Sequence, residues 1–274
     1  MSINFLIKIL KTFFRLFGKD KALLISSTIA ERIIPTIDID TKYGIINFYS
    51  LGQIPAWRAQ TLLLKEPETI EWIEGFNKDE LFWDVGANIG VYSLYAAKKG
   101  NNVLSFEPMS ANYFLLNKNI ESNKLSGKIK AFCLAFNDET ILNSLNMSNT
   151  SLGSAHSTFL EDVDQYGKNF TPAFKQAMLG FNIDGFIEQF SPEFPNHIKI
   201  DVDGIEDKII YGARNTLSDA RLKTLLTELD PTRVNLSERM VKYLNMCGLF
   251  GGICEHPGAY GSNAIFIRNS DVKV

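Results

Sequence analysis

The chain has 274 residues, 45% of them hydrophobic and 22% charged, with a formal net charge of −3. That composition suits a globular protein large enough to bury a sizeable core, and it excludes a disordered or fibrous chain. The near balance of charge supplies no field that would recruit DNA or RNA, so no nucleic-acid partner is expected.

In chain order, residues 1–40 read as a helical extension and residues 41–274 as one α/β domain. Residues 3–17 are mostly apolar, but Lys8, Lys11 and Arg15 interrupt them at helical spacing, and Lys19 and Lys21 follow. The run is too short and too charged for a membrane span of about 20 apolar residues. It lacks a small-residue cleavage site, so a signal peptide is not expected. An amphipathic helix remains. It either docks on its own domain, or lets residues 3–21 lie peripherally on an anionic membrane surface. Residues 42–50 alternate around Gly44 and predict a short hairpin. Pro67 opens a helix with Ile70, Ile73 and Phe76 on one face.

A regular rhythm then begins. Leu81–Val85 is a buried strand, followed by a Gly-rich turn, a helix over Val91–Lys99 and a second strand at Asn102–Phe106. Ser110 is a good N-cap for a helix to about Asn123. Residues 128–136 form a third strand, with Cys133 expected in the core. This alternation implies βαβ units and a doubly wound, mostly parallel sheet. It pauses over residues 137–197, a stretch rich in Ser, Asn and Phe, where helices are predicted at 172–179 and 184–190. A long insertion in a regular sheet suits a lid or substrate loop. The rhythm resumes with a strand at 197–202, helix at 205–217 and a strand at 222–228. Ser237 is read as the cap of a helix that Gly248 ends. Strands at 250–255 and 263–268 close the chain as an antiparallel hairpin around 257–261. Cys133, Cys247 and Cys254 match no zinc spacing and suit a reducing, cytoplasmic setting.

The chemistry concentrates at the first turn, Asp84-Val85-Gly86-Ala87-Asn88-Ile89-Gly90. A ligand in an open α/β sheet binds beyond the carboxyl ends of the strands, at the switch point. Gly86 and Gly90 let the backbone turn and approach a ligand without a Cβ in the way. The next helix aims its first N–H groups at the same place. Glu107 ends the second strand, 17 residues after Gly90, where a carboxylate can accept ribose hydroxyls. A dinucleotide site would carry G-x-G-x-x-G, and here Asn88 replaces the second glycine. That side chain obstructs a pyrophosphate but can bond an amino-acid-like ligand end. S-adenosylmethionine (SAM) has such an end and no phosphate. A nicotinamide or flavin dinucleotide and a purely structural turn stay open as alternatives.

These residues resemble the FkbM family of SAM-dependent methyltransferases. The matching positions are Glu66-Pro67 with Trp72, the turn from Asp84 to Gly90 with Ser93, and Phe106-Glu107-Pro108. A later block follows, Ile198-Lys199-Ile200-Asp201-Val202-Asp203-Gly204-Ile205-Glu206, then Gly212-Ala213 and Glu228. The likeness covers about residues 43–267 but is poor over 137–194. Asp203 departs from the family's usual Glu: the charge survives and the reach shortens. The resemblance implies a seven-stranded SAM-methyltransferase (Rossmann-like) sheet with SAM as cofactor. It implies Asp84, Gly86, Asn88 and Gly90 around the methionine moiety, with Ala87 and Ser93 in the same cofactor-binding set. Glu107, beside Pro108, falls at the ribose. Ala135 and Phe136 would border the adenine by position, ordinary core packing being the alternative.

SAM carries an activated methyl, so the enzyme's task is to align an acceptor and remove its proton. Asp201, beside the expected methyl position, suits a base, an orienting group or a partner for the SAM ammonium. It is therefore expected as both catalytic and cofactor-binding. Asp203, Glu206 and Glu228 add carboxylates and raise the question of a divalent metal. Glu206 in a first helical turn is the simpler reading, and no metal is expected. His156, within the insertion, is the substrate-side catalytic candidate; His256 is a weaker one, and His197 is read as structural. The expected reaction is O-methyl transfer to a hydroxyl of a sugar, glycan or polyketide-like acceptor. The setting would be cytoplasmic, or peripheral at the inner face of a membrane. The rival readings are a nicotinamide-dependent oxidoreductase and a catalytically silent SAM-fold scaffold.

Overall fold

A computed structural model of the chain describes residues 2–155, 157–160, 169–255 and 262–269. The extension is a helix pair, α1 (Ile3–Arg15) and α2 (Lys19–Arg32), broken at Gly18, whose φ is 83°. The Ser2 hydroxyl caps α1 by accepting from the Phe5 N–H. The two helices pack on each other, and α2 buries none of its residues.

β1 (Thr36–Thr41) and β2 (Gly44–Tyr49) make an antiparallel hairpin in which Thr41 faces Gly44. The turn is therefore Lys42-Tyr43, and the first strand starts before the predicted 42–50. Ile46 and Phe48 alternate inward from β2. α3 (Gln53–Gln60) and α4 (Pro67–Glu74) follow. As read from the sequence, Pro67 sits at the start of α4, and Ile70, Ile73 and Phe76 are buried.

The body is built from β3 (Leu81–Val85), α5 (Val91–Lys99), β4 (Asn102–Phe106), α6 (Ser110–Ser122) and β5 (Ile129–Phe132). After the insertion come β10 (His197–Ile200), α8 (Glu206–Tyr211), α9 (Arg214–Ser218), β11 (Thr224–Glu228), α10 (Val234–Met246), β12 (Leu249–Ile253) and β13 (Asn263–Arg268). Their sheet has the order β12-β13-β11-β10-β3-β4-β5, and β13 alone runs antiparallel to its neighbours. This is the expected doubly wound, mostly parallel seven-stranded α/β sheet with its closing hairpin. β3 and β10 are buried at every position, as strands covered on both faces must be. Alternation sends Phe82 into one core layer with Trp72 and Leu94, and Trp83 into the other with Phe136 and Phe186.

The insertion departs most from expectation. The predicted strand 128–136 breaks at Cys133-Leu134: β5 stays in the main sheet, while β6 (Ala135–Phe136) leaves it. β6, β7 (Ile141–Met147), β8 (Ser157–Phe159) and β9 (Phe174–Phe181) form a separate sheet of order β6-β9-β7-β8. Cys133, expected in the core, is exposed at the break. The helix predicted at 172–179 is strand β9, paired antiparallel with β7 from Ile141↔Gly180 to Met147↔Phe174. Cross-strand packing overrides the local pattern there. A Cβ on Gly180 would lie 2.3 Å from the Phe159 ring, so the ring packs directly on strand backbone. The second insertion helix is present as α7 (Ile183–Phe190), capped by the Asn182 side chain, which accepts from the Gly185 N–H.

Two predicted caps are corrected. Ser110 is the first residue of α6 rather than its N-cap; Met109 holds that place without a side-chain bond. Ser237 lies inside α10, which starts at Val234, and its hydroxyl donates to the Asp230 carbonyl instead. Gly248, with φ of 81°, does follow the end of that helix. The predicted helix 205–217 divides into α8 and α9 at Gly212, where a Cβ would meet the Asn137 carbonyl oxygen at 2.5 Å.

His197 is buried where β10 begins. The Trp72 indole N–H donates to Thr224 Oγ1 at 2.8 Å, which leaves the Thr224 hydroxyl proton for His197 Nδ1 at 2.7 Å. Nε2–H then donates to Glu80 Oε2 at 2.8 Å. Phe76 stacks on the imidazole with ring centroids 3.7 Å apart.

Candidate active site

β3 lies between β10 and β4, so chain order reverses beside it and a crevice opens beyond its carboxyl end. The turn leaving β3 has three residues with positive φ: Gly86 at 86°, Asn88 at 50° and Gly90 at 87°. At Gly86 the requirement is also steric. A Cβ there would lie 1.9 Å from the Asp201 carbonyl oxygen, so the turn passes the end of β10 in direct backbone contact.

Asn88 is held at two points. Its N–H donates to Glu107 Oε2 at 2.8 Å, and its side-chain Nδ2 donates to the Ser154 carbonyl at 3.0 Å. Its Oδ1 is buried and has no partner among the described residues. Glu107 Oε1 accepts from the Met109 N–H at 2.8 Å. Each carboxylate oxygen therefore keeps a lone pair for a further donor. Burial pushes the Glu107 pKa up to about 7, against the lowering effect of the two backbone donors.

These groups line a polar cleft of about 510 Å³, within the range of small-molecule sites. Gly86, Asn88, Glu107, Pro108 and Asp201 form its floor and one wall. Trp57 and Arg58 reach it from α3, and Lys65 and Glu66 from the loop after that helix. The insertion closes it from above through Ser154, Ala155 and Ser157. Ser154 is pinned there because its carbonyl also accepts from Asn112 Nδ2 at 3.1 Å. Arg58 Nε donates to the neighbouring Gly153 carbonyl at 2.7 Å. A second groove, of about 730 Å³, runs along α10 between Leu229, Val241 and Met246; its surface is mostly apolar, with Asp230, Glu238 and Lys242 among its lining.

A buried cation organises the floor. Lys199 is 1% exposed, and its ammonium pairs with Asp201, lies 4.0 Å from Glu66 Oε2 and sits 4.8 Å from the centre of the Tyr92 ring. Burial alone would raise the Asp201 pKa, but the charge and hydrogen bond of Lys199, with the charges of Lys65 and Arg58, together hold the carboxyl below its ordinary value. Glu66 behaves in the same way: burial opposes ionisation, and Lys199 and Lys65 together restore it. Glu228 is the opposite case. Desolvation against the cleft wall and the nearby Asp201 charge raise its pKa. Glu206 is buried in the first turn of α8, its pKa pushed well up by burial. Among the described residues no group of three His, Cys, Asp or Glu side chains is arranged to hold a metal ion.

The residues singled out in the sequence divide into five groups. Gly86, Asn88, Glu107, Pro108 and Asp201 border the cleft, together with Asp203 and Glu228. Ala87 borders a narrow recess of about 30 Å³ beside it. Asp84, Gly90 and Ser93 stand behind the turn: Ser93 Oγ donates to Asp84 Oδ2 at 2.5 Å, and a Cβ on Gly90 would press into the Leu116 side chain at 2.4 Å. Ala135 and Phe136 lie in neither the main sheet nor the cleft lining. They are core residues of β6, with Phe136 stacked on Trp83 at 6.3 Å, which accords with the alternative of ordinary core packing. His156 and His256 lie outside the described residues. Trp57, Arg58, Lys65 and Ser154 were not read from the sequence, because none of them belongs to a spacing motif. The Glu66-Pro67 pair was a signal for Glu66, but only as part of a resemblance.

With this geometry in hand, the comparisons with known proteins are direct. The hexuronic acid methyltransferase AglP of Haloferax volcanii is 24% identical over 161 residues, which cover 59% of this chain and 61% of AglP. A crystal structure of an FkbM methyltransferase from Methylobacillus flagellatus superposes with a TM-score of 0.51 and 17% identity, over 74% of this chain and 48% of that one. The chain thus spans about three fifths of AglP and about half of the Methylobacillus protein, and the second likeness shows the fold. The Methyltransferase FkbM domain model matches residues 84–249, which is more than half of the chain and includes the turn, Glu107, Asp201 and Glu228. The chain belongs to the FkbM methyltransferase family.

Proposed function

We propose that the chain transfers a methyl group from SAM to a hydroxyl of a sugar. The observation that carries the donor is the buried Asn88 Oδ1, without a partner among the described residues, in the cleft wall beside Glu107. The residues fit SAM. Asn88 Oδ1 is an acceptor awaiting a donor such as an ammonium, Glu107 keeps lone pairs for two ribose hydroxyls, and the backbone at Gly86 admits close approach. When bound, SAM supplies a methyl on a positively charged sulfur, with a neutral leaving group.

The protein's own work is positioning and proton removal. Ile200 and Thr227 are register partners in adjacent parallel strands, so Asp201 and Glu228 leave neighbouring strand ends side by side. Their environments push their pKa values apart, downward at Asp201 through Lys199 and upward at Glu228 through desolvation. Such a pair divides its roles. Asp201 stays anionic and orients a cation or an acceptor hydroxyl. Glu228 takes the hydroxyl proton as the oxygen attacks, a contribution of about 10²–10⁴-fold in rate. Trp57, 48% exposed at the cleft, offers a flat apolar face for a sugar ring, with Arg58 and Lys65 beside it.

The sugar acceptor rests on that wall and on the likeness to AglP, a hexuronic acid methyltransferase. Calorimetry with S-adenosylhomocysteine (SAH), followed by transfer of labelled methyl from SAM to a panel of uronic acids, neutral sugars and simple alcohols, tests both halves. The expected result is SAH binding with transfer to sugars. Absence of SAH binding would remove the donor; labelling confined to non-sugar alcohols would remove the acceptor.

A further inference from the structure

α1 presents the largest unpartnered apolar surface among the described residues. Phe5, Leu6, Ile9, Leu10 and Phe13, with Phe17 just beyond the helix, are each 44–53% exposed. Only α2 packs against it to any extent, and α2 contributes no buried residue. A helix of 13 residues without a packed face is marginal in water, so this surface requires a cover.

The polar residues of α1 say which cover. At 100° per residue, Lys8, Lys11 and Arg15 fall on one stripe about 60° wide, with Asn4 inside it and Thr12 at its margin. All remaining positions of the helix are Ile, Leu or Phe. More than half of the circumference is thus apolar, far wider than the seam that pairs two helices. A partner helix would leave much of it wet, whereas hydrocarbon conforms to any width. Charge points the same way. Residues 1–30 carry five basic side chains, Lys8, Lys11, Arg15, Lys19 and Lys21, against one acidic, Asp20, while the rest of the chain carries 23 basic and 30 acidic ones. A symmetric pairing of two extensions would crowd like charges, and an anionic lipid surface would neutralise them. Nor does this segment cross a bilayer. At 1.5 Å per residue, α1 is about 20 Å long, short of a hydrocarbon core of about 30 Å. No described helix is long and apolar enough to cross a membrane.

We propose that α1 is an in-plane anchor that docks the protein on an anionic phospholipid surface, with its Phe, Leu and Ile face in the acyl boundary and Lys8, Lys11 and Arg15 among the headgroups. Each cation near such a surface strengthens partitioning roughly five-fold.

The test is sedimentation of the full chain with vesicles of phosphatidylcholine alone and of phosphatidylcholine with one quarter phosphatidylglycerol. The wild type should pellet with the anionic vesicles and release at high salt. The triple variant Lys8→Glu, Lys11→Glu, Arg15→Glu should lose at least about 100-fold in partitioning. Leu6→Asp with Phe13→Asp should lose binding while keeping the thermal unfolding midpoint, because α1 is not part of the core. Wild-type protein that stays in the supernatant with both vesicles overturns the proposal. So does a wild-type dimer in analytical ultracentrifugation that Leu6→Asp with Phe13→Asp dissociates and that shows no vesicle binding; that outcome assigns the face to a second copy.

Discussion

Lys199 and Asp201 form an ion pair whose ammonium is sealed beneath the cleft floor while its carboxylate opens into the cleft, the side chains being 1% and 37% exposed. The positions are two apart at the end of β10, so both side chains leave the same face. Replacing the cation leaves Asp201 and Glu66 facing each other without a counter-charge. Lys199→Met should therefore cost about 3–5 kcal/mol, as breaking a buried pair does. A urea unfolding midpoint unchanged by that substitution would show that the cation does not organise the floor.

The division of labour at the strand ends predicts two different phenotypes. Glu228→Gln should lower kcat by about 10²–10⁴-fold with SAH affinity unchanged. Asp201→Asn should weaken SAH or acceptor binding and leave a buried, poorly paired Lys199, so its melting temperature should fall as well. Single-turnover methyl transfer separates the cases. Full chemical rate in Glu228→Gln would return the base to another group.

With Glu107 at the ribose, as proposed, cofactor binding should depend on pH. Its pKa is raised from 4.5 to about 7 by burial. In the ligand-free protein this contributes stability that is fully present below about pH 4.5 and is lost as pH rises through about 7. Ribose hydroxyls donate to the ionised form and favour it, so binding should release a proton. SAH affinity should rise about ten-fold between pH 6 and pH 8. Calorimetry in buffers of different ionisation enthalpy reads the proton directly, and Glu107→Gln should flatten the profile.

Gly86→Ala tests the backbone contact behind the turn. The new Cβ would lie 1.9 Å from the Asp201 carbonyl oxygen, at a φ of 86°. Left-handed backbone at a residue other than glycine costs of the order of 1–3 kcal/mol before any clash. The variant should lose SAH binding and be destabilised by at least that amount. Asn88→Gly, by contrast, suits the positive φ of that position and removes only the side-chain bonds, so it should weaken SAH while sparing stability.

His197 should act as an acid-sensitive element. Burial depresses its pKa from 6.5 to about 4, so the folded protein holds it neutral, donating to an ionised Glu80. Its contribution to stability is complete above pH 6.5 and lost as pH falls towards 4, up to about 3 kcal/mol. An NMR titration in which the imidazole charges near pH 6.5 in the folded protein would contradict the buried, neutral tautomer.

Much of this architecture was legible because its determinants are local. A nearly continuous apolar run marks β3 as a strand covered on both faces, Ile198 and Ile200 mark β10 beside it, and the spacing of Gly86, Asn88 and Gly90 marks a turn with left-handed backbone. The insertion was not legible in the same way. Residues 174–181 form a strand because β7 lies beside them, a partner no local pattern announces. Ala135 and Phe136 continue an apolar run by sequence, yet the chain breaks at Cys133 and carries them into a second sheet.

The sequence by itself determined which groups meet at the cleft floor: the Gly-rich turn, the carboxylate at the end of the second strand, and Asp201 two residues beyond Lys199. These lie at strand ends, and strand order follows from hydrophobic rhythm and connection rules. Only the tertiary structure decided what encloses them. Asn88 reaches Ser154 across 66 residues of sequence, and Arg58 reaches Gly153 across 95. Such contacts are set by the packing of α3 and the second sheet against the main one. The cleft wall with Trp57, Arg58 and Glu66 becomes visible only once those layers are assembled.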